Sequence, residues 1–359
     1  MLQTLNVAIL GCGRIGKRHA QILSSGEISS AKLVAVCDYD QNKLNSFVQE
    51  YKVKGFTDLT NLLNGDLAID ILVICTESGN HSNNVIVSAG KVKNIIVEKP
   101  MALTLSDANK MIAVCKEFKT RLFIVKQNRF NLPMLYARKL FQEGKFGKIT
   151  LGTVRVRWSR DENYYLEGDW RGTWALDGGV ISNQASHHVD ILQWFLGDAE
   201  SVYATGKQAI ANIEAEDTCL AIIRFKSGAL GLIEATTATR PIDLEGSFSL
   251  LGEKGSIEIG GFAMNRLNYV GFIDEETSPP IVLEQYSVNP PDVYGYGHLK
   301  YYENVLSSIL NGTEGLVEGI DGLKSLELIS AIYESMEKNL EVRLPSVSHH
   351  SKLGLQSET

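Results

Sequence analysis

Residues 6–16 read Asn-Val-Ala-Ile-Leu-Gly-Cys-Gly-Arg-Ile-Gly, which gives a short apolar strand, a glycine-rich turn and the start of a helix. The pattern G-x-G-x-x-G in this context is typical of a dinucleotide-binding βαβ unit. Gly11 permits the tight turn, Gly13 lets a pyrophosphate approach the backbone, and Gly16 lets the helix pack on the strand. Because the helix N-terminus faces the phosphates, the predicted cofactor contacts here are Gly11, Gly13, Arg14, Ile15 and Gly16. A glycine-rich turn without a ligand is the alternative.

A carboxylate stands at the end of the second predicted strand. Asp38 lies 22 residues after Gly16 and directly follows the apolar run 33–37. In that position it can accept hydrogen bonds from both hydroxyls of an adenosine ribose, and it would repel a 2′-phosphate. The next residue is Tyr39 rather than a cation. The sequence therefore favours NAD over NADP, the alternative being an exposed aspartate at a strand end.

Polar side chains also follow the third apolar strand, which spans residues 69–75. Thr76, Asn80 and His81 come at its carboxyl end, where sheets of this kind bind their ligands. Asn80 also precedes the next predicted helix and is a good N-cap residue. Contact with the cofactor and a structural role therefore both remain open for these residues.

The succession of elements predicts two domains. Apolar strands alternate with amphipathic helices over residues 1–125, which indicates a doubly wound parallel sheet, the Rossmann arrangement. Residues 126–345 contain strands joined by tight turns, which indicates an α+β domain with an open, mainly antiparallel sheet. An open sheet leaves one face to be covered, so we expect a homo-oligomer, either a dimer or a tetramer. Residues 346–359 are polar and aperiodic and are predicted to be a loose tail.

Composition excludes several classes of function. The chain has 359 residues and a net charge of −7, which gives no reason to expect a nucleic acid partner. It contains no uncharged span of 18 residues and no signal-peptide pattern, so no membrane association and a cytoplasmic location are predicted. Five scattered cysteines without a Cys-x-x-Cys pair favour buried reduced thiols over disulfides, and no metal site is predicted.

Glu98-Lys99-Pro100 closes a fourth apolar strand and supplies a group for proton transfer. Removing a hydride from a carbinol carbon requires a base that takes the hydroxyl proton. A lysine beside a positively charged nicotinamide ring can have its pKa lowered into a useful range. Lys99 is therefore the first catalytic candidate, and its alternative role is that of a surface lysine before a turn.

His187 is the second catalytic candidate. It lies in a predicted helix over about 183–196, entered through Gly178-Gly179. Asn183 precedes His187 by four residues, so on a helix both side chains would share one face and could reach one substrate. A satisfied core histidine is the alternative for His187. His188 points about 100° away on a helix and is expected to be structural.

Four motifs together resemble the Gfo/Idh/MocA oxidoreductase family. They are the fingerprint at 11–16, Glu98-Lys99-Pro100, the stretch 126–130 (Lys-Gln-Asn-Arg-Phe), and Gly178-Gly179 with His187 and Asp190. The resemblance covers about residues 5–345. It implies an NAD-dependent dehydrogenase in which Lys99 and His187 form the active-site pair, with a cis peptide bond before Pro100. It also adds Glu98, Lys99, Gln127, Trp170 and Arg171 to the predicted cofactor contacts. Inositol dehydrogenases of the family carry Asp where this chain has Asn183, so a Lys-Asp-His relay cannot be transferred.

Within the family, residues 125–131, 170–173 and 177–184 look most like UDP-N-acetyl-2-amino-2-deoxyglucuronate dehydrogenases. That resemblance implies oxidation at C3 of a UDP-linked N-acetylated hexuronic acid for surface polysaccharides, with 2-oxoglutarate as a candidate reoxidant of NADH. Asn183, Arg160, Tyr164 and Gln127 are the predicted substrate contacts, because guanidinium groups suit carboxylate and diphosphate. Arg155 and Arg157 alternate along a strand, so they either bind the same anion or line a solvated face.

Two other functions remain open from the sequence. The first is an inositol or free-sugar dehydrogenase of the same fold, which Asn183 and the arginine-rich loop disfavour. The second is a regulatory protein that binds NAD without chemistry, which the presence of both Lys99 and His187 disfavours.

Overall fold

The first sheet of the protein is a six-stranded parallel sheet with the order β3-β2-β1-β4-β5-β6. The structure is a computed structural model, and it describes residues 4–273, 280–288, 290, 295–346 and 351–355. Its strands are Leu5–Leu10 (β1), Ala31–Cys37 (β2), Lys54–Phe56 (β3), Ile71–Ile74 (β4), Asn94–Val97 (β5) and Arg121–Ile124 (β6). The helices between them are Arg14–Ser24 (α1), Gln41–Tyr51 (α2), Leu59–Asn64 (α3), His81–Ser88 (α4) and Leu105–Glu117 (α5). The predicted Rossmann arrangement is confirmed.

The apolar runs explain why these strands lie inside. Every residue of β4 and the three apolar residues of β5 are fully buried. A parallel sheet is covered on both faces, so its central strands consist of continuous rather than alternating apolar residues. The parallel pairing also brings the carboxyl ends of β1, β2, β4 and β5 to one edge of the sheet. The fingerprint turn, Asp38, Thr76 and Lys99 all follow strands at that edge.

The chain forms two compact units, and their division differs from the one expected. The first unit comprises the chain up to Val125 together with His298–Leu323, and the second comprises Lys126–Gly297 and the chain from Lys324 onward. The sequence had assigned all of 126–345 to the second domain. Arg121 at the start of β6 explains the difference, because its guanidinium donates hydrogen bonds to Ser308 and to the carboxylate of Glu318. Sequence separation hides these contacts.

The second unit holds an eight-stranded sheet with the order β13-β12-β11-β7-β10-β9-β8-β14. Its strands are Ile149–Arg157 (β7), Ala199–Lys207 (β8), Thr218–Phe225 (β9), Leu230–Thr236 (β10), Glu245–Gly252 (β11), Gly255–Gly260 (β12), Arg266–Phe272 (β13) and Val342–Arg343 (β14). Strands β7 and β10 pair in parallel, and the other neighbours are antiparallel. The predicted mainly antiparallel sheet is confirmed. The sequence did not predict β13 or β14, which lie at its two edges.

The helices that follow β6 are divided between the two units. They are Leu132–Gln142 (α6), Glu162–Leu166 (α7), Ser186–Leu196 (α8), Pro280–Gln285 (α9), Gly297–Asn311 (α10) and Gly319–Lys338 (α11). Helix α8 packs on the face of the sheet formed by β7, β10 and β11. Apolar residues alternate along β9, so that Ala221 and Ile223 are buried while Leu220 and Ile222 are exposed. One face of the sheet therefore carries α8, and the opposite face, which is exposed along β9 among the described residues, is called the open face.

The predicted loose tail is wrong for residues 351–355. Leu353 is buried. The amide of Lys352 donates to the carboxylate of Glu337, and the amide of Gly354 donates to the carbonyl of Trp174. Leu353 anchors this segment. It is an apolar residue in a mostly polar stretch, so the low mean hydropathy of the stretch did not predict its burial. Residues 347–350 and 356–359 lie outside the described residues.

Two further predictions concern the whole chain. All five cysteines are buried and free, as expected for reduced thiols. Within the described ranges, no helix combines the length and the apolar character that crossing a membrane would require.

Candidate active site

The fingerprint turn has the steric features of a phosphate-binding loop. Gly11 has φ +103°, and a Cβ there would lie 2.6 Å from the carbonyl oxygen of Cys75. A Cβ on Gly16 would overlap the carbonyl oxygen of Gly11. At Gly13, which is the N-cap of α1, an added Cβ would meet no protein atom within 4 Å. Packing within the protein thus requires glycine at 11 and 16. At 13 the protein itself leaves room for a side chain, so glycine there is needed only to let a ligand approach the backbone.

Asp38 is held against this turn. Its Oδ2 accepts a hydrogen bond from the Cys12 amide at 2.7 Å, and its Oδ1 accepts one from the Asp40 amide at 2.8 Å. The side chain is buried, with 8% exposed. Each carboxylate oxygen keeps a lone pair for a further donor. The carboxylate is therefore oriented before any ligand arrives, and the turn and Asp38 together fit the adenosine half of a dinucleotide.

We expect the substitution Asp38→Ala to weaken NAD binding by roughly 10-fold, because a charge-assisted hydrogen bond to the ribose is lost. NADP should bind about as well as before, since the repulsion of its 2′-phosphate disappears. Calorimetric titration with both cofactors measures the ratio. Asp40→Ala is the matched control: Asp40 caps α2 through the amides of Asn42 and Lys43, so its loss should lower stability only. An unchanged NAD preference in Asp38→Ala would show that the ribose binds elsewhere.

The residues after β4 have mainly structural contacts. His81 is buried, with its Nδ1 2.9 Å from the carbonyl oxygen of Pro100 and its Nε2 3.1 Å from that of Thr76. Thr76 Oγ1 accepts a hydrogen bond from Asn84. Asn80 occupies the N-cap position of α4, as predicted, but its exposed side chain makes no capping hydrogen bond and donates to Glu77. His81 thus ties the end of β4 to the segment after β5, and cofactor contacts of these residues stay predictions.

Lys99 follows β5 and is partly exposed, and its peptide bond to Pro100 is cis, as the resemblance implied. The preceding Glu98 is buried, and its carboxylate accepts hydrogen bonds from His19 Nε2 at 2.9 Å and from the Lys99 amide at 3.0 Å. Both carboxylate oxygens of Glu98 therefore already accept hydrogen bonds from groups of the first unit. Its predicted contact with the cofactor, like that of Lys99, stays a prediction.

In the second unit, the motif 126–130 holds helix α8 in place. Arg129 donates from Nε and Nη2 to the two carboxylate oxygens of Asp190, at 2.8 and 2.9 Å. Lys126 Nζ lies 3.4 Å from the same carboxylate. All three side chains are nearly inaccessible to solvent. Two motifs that are far apart in the sequence therefore form one buried ion cluster. Sequence analysis did not predict this role of Lys126, Arg129 and Asp190.

The cluster places His187 one turn before Asp190 on α8. Gln127 Nε2 lies 2.8 Å from His187 Nε2. With the amide in this orientation Gln127 donates, so Nε2 of the imidazole is the acceptor and a neutral ring carries its proton on Nδ1. Gln127 was expected to touch substrate or cofactor. The contact shown is with His187, and the other contacts stay predictions.

The predicted helical face shared by Asn183 and His187 is wrong. Helix α8 begins at Ser186, and residues 180–185 form turns instead. Asn183 donates from Nδ2 to the carboxylate of Asp177, whose other oxygen accepts the Gly172 amide. The Ala185 amide bonds to the carbonyl of Val180, five residues back, which is not an α-helical hydrogen bond. The amides of Val180 and Ile181 donate to Glu216, a contact between residues far apart in the sequence. A role of Asn183 in substrate binding stays a prediction.

Glu216 and Tyr333 support the Gly178-Gly179 turn, and sequence analysis identified only the two glycines. A Cβ on Gly179 would overlap the Glu216 carboxylate. Tyr333 Oη accepts the Gly179 amide at 2.9 Å and donates to Glu216 Oε1 at 3.0 Å. Burial raises the pKa of Glu216 to about 7. The turn before His187 thus rests on a carboxyl group that titrates near neutral pH.

This gives a pH-dependent prediction for Glu216→Gln. The folded state favours the neutral carboxyl, so wild-type stability falls as the pH rises from about 4.5 to about 7, by roughly 3 kcal/mol. The glutamine variant lacks this loss. We expect the free energy of unfolding of the variant, measured with urea, to equal that of wild type at pH 5 and to exceed it at pH 8. Glu200→Gln, at an exposed position in β8, is the control. A difference between variant and wild type that is the same at both pH values would contradict the prediction.

The predicted substrate residues Arg160 and Tyr164 lie together with the predicted cofactor residues Trp170 and Arg171. The Arg171 guanidinium stacks 4.1 Å from the centre of the Tyr164 ring and 4.7 Å from that of Trp170. The Arg160 guanidinium lies 5.3 Å from the centre of the same Tyr164 ring. Gln184 donates to Tyr164 Oη at 3.2 Å, which links this arginine–aromatic cluster to the turn that carries Asn183.

The positive charges of the two guanidinium groups in the cluster are neutralised to different extents by acidic side chains. Arg160 donates to the carboxylate of Asp243 at 2.9 Å, whereas Arg171 has its acidic neighbour Glu167 at 4.0 Å. Both arginine side chains are mostly buried, at 13% and 12% exposed. Arg171 is thus a cation held in place by aromatic rings with a weak ion pair, which suits an anionic ligand group.

Arg155 and Arg157 belong to the open face of the sheet. Arg157 donates to Glu234 and Glu245, and Arg155 lies within 4 Å of the same two carboxylates. Glu234 faces Arg155 across β10 and β7, and Glu245 faces Arg157 across β11 and β7. Of the two alternatives, the solvated face is the one observed.

Comparisons with known proteins agree with this geometry. The family model "Oxidoreductase family, NAD-binding Rossmann fold" matches residues 5–126, and "Oxidoreductase family, C-terminal alpha/beta domain" matches residues 138–344. The myo-inositol 2-dehydrogenase of Thermotoga maritima is 27% identical, over 96% of this chain and 99% of its own length.

Two solved structures are more similar. The WlbA dehydrogenase from Bordetella pertussis, in complex with NADH and UDP-GlcNAcA, is 38% identical with a TM-score of 0.90 and covers 96% of this chain and 98% of its own. The WlbA dehydrogenase from Chromobacterium violaceum, with the same ligands, is 37% identical with a TM-score of 0.89 and 96% coverage of both chains.

The dinucleotide turn and the strand-end carboxylate fit an NAD-binding protein, and the family matches and relatives identify an NAD-dependent oxidoreductase of the sugar dehydrogenase type. The family matches span most of the sequence. The chain belongs to the Gfo/Idh/MocA oxidoreductase family, as its motifs predicted.

Proposed function

We propose that this enzyme oxidises the C3 hydroxyl of a UDP-linked N-acetylated hexuronic acid, as a step of nucleotide-sugar synthesis for surface polysaccharides. The arginine–aromatic cluster of Arg160, Tyr164, Trp170 and Arg171 carries the proposal. A nucleotide-linked uronic acid presents a carboxylate, a diphosphate and flat rings, and guanidinium and aromatic groups match these features. The ligands of the two WlbA dehydrogenases give independent support.

An inositol dehydrogenase is the second candidate, because the Thermotoga maritima relative has that activity. An uncharged polyol offers nothing to Arg171, whose charge is compensated only weakly within the second unit. Asn183 also cannot take the proton in place of an aspartate, because an amide is not a base, and its Nδ2 donates to Asp177. Both observations favour the charged nucleotide sugar.

The chemistry needs a hydride acceptor and a base. Bound NAD supplies the hydride acceptor. The hydroxyl proton goes to Lys99 or to His187, which remain the two candidates for the base. In the observed contact the Nε2 lone pair of His187 accepts the Gln127 hydrogen bond, so His187 can take the proton at Nε2 once the substrate hydroxyl replaces Gln127 as the donor. The product is a C3 ketone, and oxidation of the reduced cofactor by 2-oxoglutarate belongs to the same proposal.

A substrate panel tests the function. Purified enzyme is mixed with NAD and with UDP-GlcNAcA, UDP-GlcNAc or myo-inositol, and NADH absorbance is followed. We expect UDP-GlcNAcA to be oxidised, and UDP-GlcNAc, which lacks the carboxylate, to have a kcat/KM about 10- to 100-fold lower. Arg171→Gln should reduce this discrimination, because the cation that favours the acid is gone. Turnover of myo-inositol alone would overturn the proposal.

We also propose that the open face of the second sheet binds a second copy of this chain. The face exposes apolar side chains at Tyr203, Leu220, Ile222, Leu230 and Leu232, each between 36% and 58% exposed. They lie on β8, β9 and β10, to one side of the ion network of β7, β10 and β11. A two-fold interface joins the same patch of both subunits, so a face with an apolar stripe and both charge signs offers apolar contacts and opposite charges to a second copy.

Ile222→Glu, at the middle of this stripe, should convert the oligomer into a monomer, because a charge would be buried without a partner. Light scattering coupled to size-exclusion chromatography measures the mass. Ile86→Glu, at an exposed apolar position in the first unit, is the control and should leave the mass unchanged. A monomeric wild-type protein would refute the proposal.

A further inference from the structure

A chain of buried hydrogen bonds ends at the backbone of Lys99. Tyr302 Oη lies 2.8 Å from His19 Nδ1, and His19 Nε2 lies 2.9 Å from Glu98 Oε1. The other oxygen of Glu98 accepts the Lys99 amide at 3.0 Å. His19, Glu98 and Tyr302 are all nearly inaccessible to solvent. These residues come from α1, the end of β5 and α10, and all belong to the first unit.

The polarity of every link in this chain is consistent. A neutral His19 accepts from the Tyr302 hydroxyl at Nδ1 and donates from Nε2 to Glu98. An ionised Glu98 accepts from His19 on one oxygen and from the Lys99 amide on the other. Burial opposes ionisation of Glu98, but the hydrogen bond from His19 and the His298 imidazole, whose Nε2 lies 3.8 Å from Glu98 Oε1, outweigh it and hold the Glu98 pKa well below its usual range. The carboxylate is therefore a fixed double acceptor.

The same atoms could be considered as metal ligands. Ligand atoms of His19, Glu98 and His298 lie within 4.8 Å of one another. However, His19 and Glu98 are already in direct hydrogen-bond contact, and the second nitrogen of His19 lies at hydrogen-bond distance from Tyr302. Such contacts are those of a completed hydrogen-bond network rather than of side chains arranged around an ion.

We propose that His19 and Tyr302 are positioning residues that act through Glu98 to fix the backbone of Lys99. This inference rests on the proposed function, in which Lys99 is an acid–base group. Helix α1 begins at the phosphate-binding turn and carries His19 in its second turn. The chain thus joins the cofactor-binding helix to the residue that handles the proton, and it orders that residue before substrate arrives. Pre-organisation of this kind contributes to turnover rather than to binding.

Three variants test the inference. His19→Leu removes both links, Tyr302→Phe removes one, and His19→Gln keeps a donor near the position of Nε2. We expect His19→Leu to lower kcat by roughly 10- to 100-fold, with the dissociation constant for NAD changed less than about 3-fold. Tyr302→Phe should have a smaller effect in the same direction. His19→Gln should recover most of the turnover. Tyr51→Phe, which removes a hydroxyl from another tyrosine of the first unit, is the control.

Hydrogen exchange gives a readout that does not depend on catalysis. In His19→Leu the Lys99 amide should exchange at least 10-fold faster, whereas amides in the middle of β5 should keep their protection. If Lys99→Ala abolishes turnover but both kcat and the exchange of the Lys99 amide are unchanged in His19→Leu and Tyr302→Phe, the positioning role is refuted and the proposed function stands. If Lys99→Ala itself retains turnover, the assignment of the base fails first. Retention of one equivalent of metal that is lost in His19→Gln would also overturn the hydrogen-bond interpretation.

Discussion

Replacing Lys99 by alanine is expected to lower kcat by about 10²- to 10⁴-fold, the range typical of a missing acid–base group. The dissociation constant for NAD should change little, because the phosphate-binding turn and Asp38 supply the main recognition of the cofactor within the first unit. Steady-state kinetics with the nucleotide sugar and calorimetry with NAD separate the two effects. A defect confined to NAD binding would show that Lys99 is a binding residue only.

Lys93→Ala is the matched control for this experiment. Lys93 is exposed and precedes β5, whereas Lys99 follows the same strand. Ligands of a doubly wound sheet bind at the carboxyl ends of its strands. Loss of a lysine at the amino end should therefore leave kcat within a factor of about 2, because it changes the charge of the unit without touching the reaction.

The second large effect is expected for stability. Asp190→Ala should lower the free energy of unfolding by roughly 3–5 kcal/mol, because Arg129 and Lys126 would remain buried without their carboxylate. Urea unfolding followed by tryptophan fluorescence measures this loss. Turnover of the folded fraction should also fall, since Asp190 fixes the helix that carries His187.

Asp198→Ala gives a direct comparison. Asp198 also has two cationic neighbours, Lys226 at 3.7 Å and Lys324 at 3.9 Å, but all three side chains are about half exposed. Pairs in that setting contribute between 0 and about 1 kcal/mol. Equal losses in the two variants would mean that burial does not determine the strength of the Asp190 cluster.

The sequence predicted the elements whose signal is local. Apolar runs bounded by glycine or acidic residues gave the strands of the first sheet, and the G-x-G-x-x-G turn gave its ligand edge. Strands β13 and β14 were missed because both lie at sheet edges and owe their conformation to a neighbour. The start of α8 was placed three residues early, because the sequence does not show that the Ala185 amide bonds five residues back, to Val180, instead of in an α-helical pattern.

The candidate site was predicted less completely than the fold. The sequence selected Arg160, Tyr164, Trp170 and Arg171 one by one, and the structure brings them into one cluster. It gave no sign of Glu216 or Tyr333, which are single polar residues far along the chain from the turn they support. A buried polar contact between distant residues has no periodicity, so no pattern reveals it.

The sequence by itself determined the fold class, the family and the cofactor, because a nucleotide-binding turn and alternating apolar strands depend on residues that are neighbours in the chain. Tertiary structure alone decided which side chains hold the catalytic candidates in place: Glu98 with His19 for Lys99, and Asp190 with Arg129 for the helix of His187. The physical reason is that a buried charge needs a partner within a few ångströms in space, and folding can bring that partner from anywhere in the sequence.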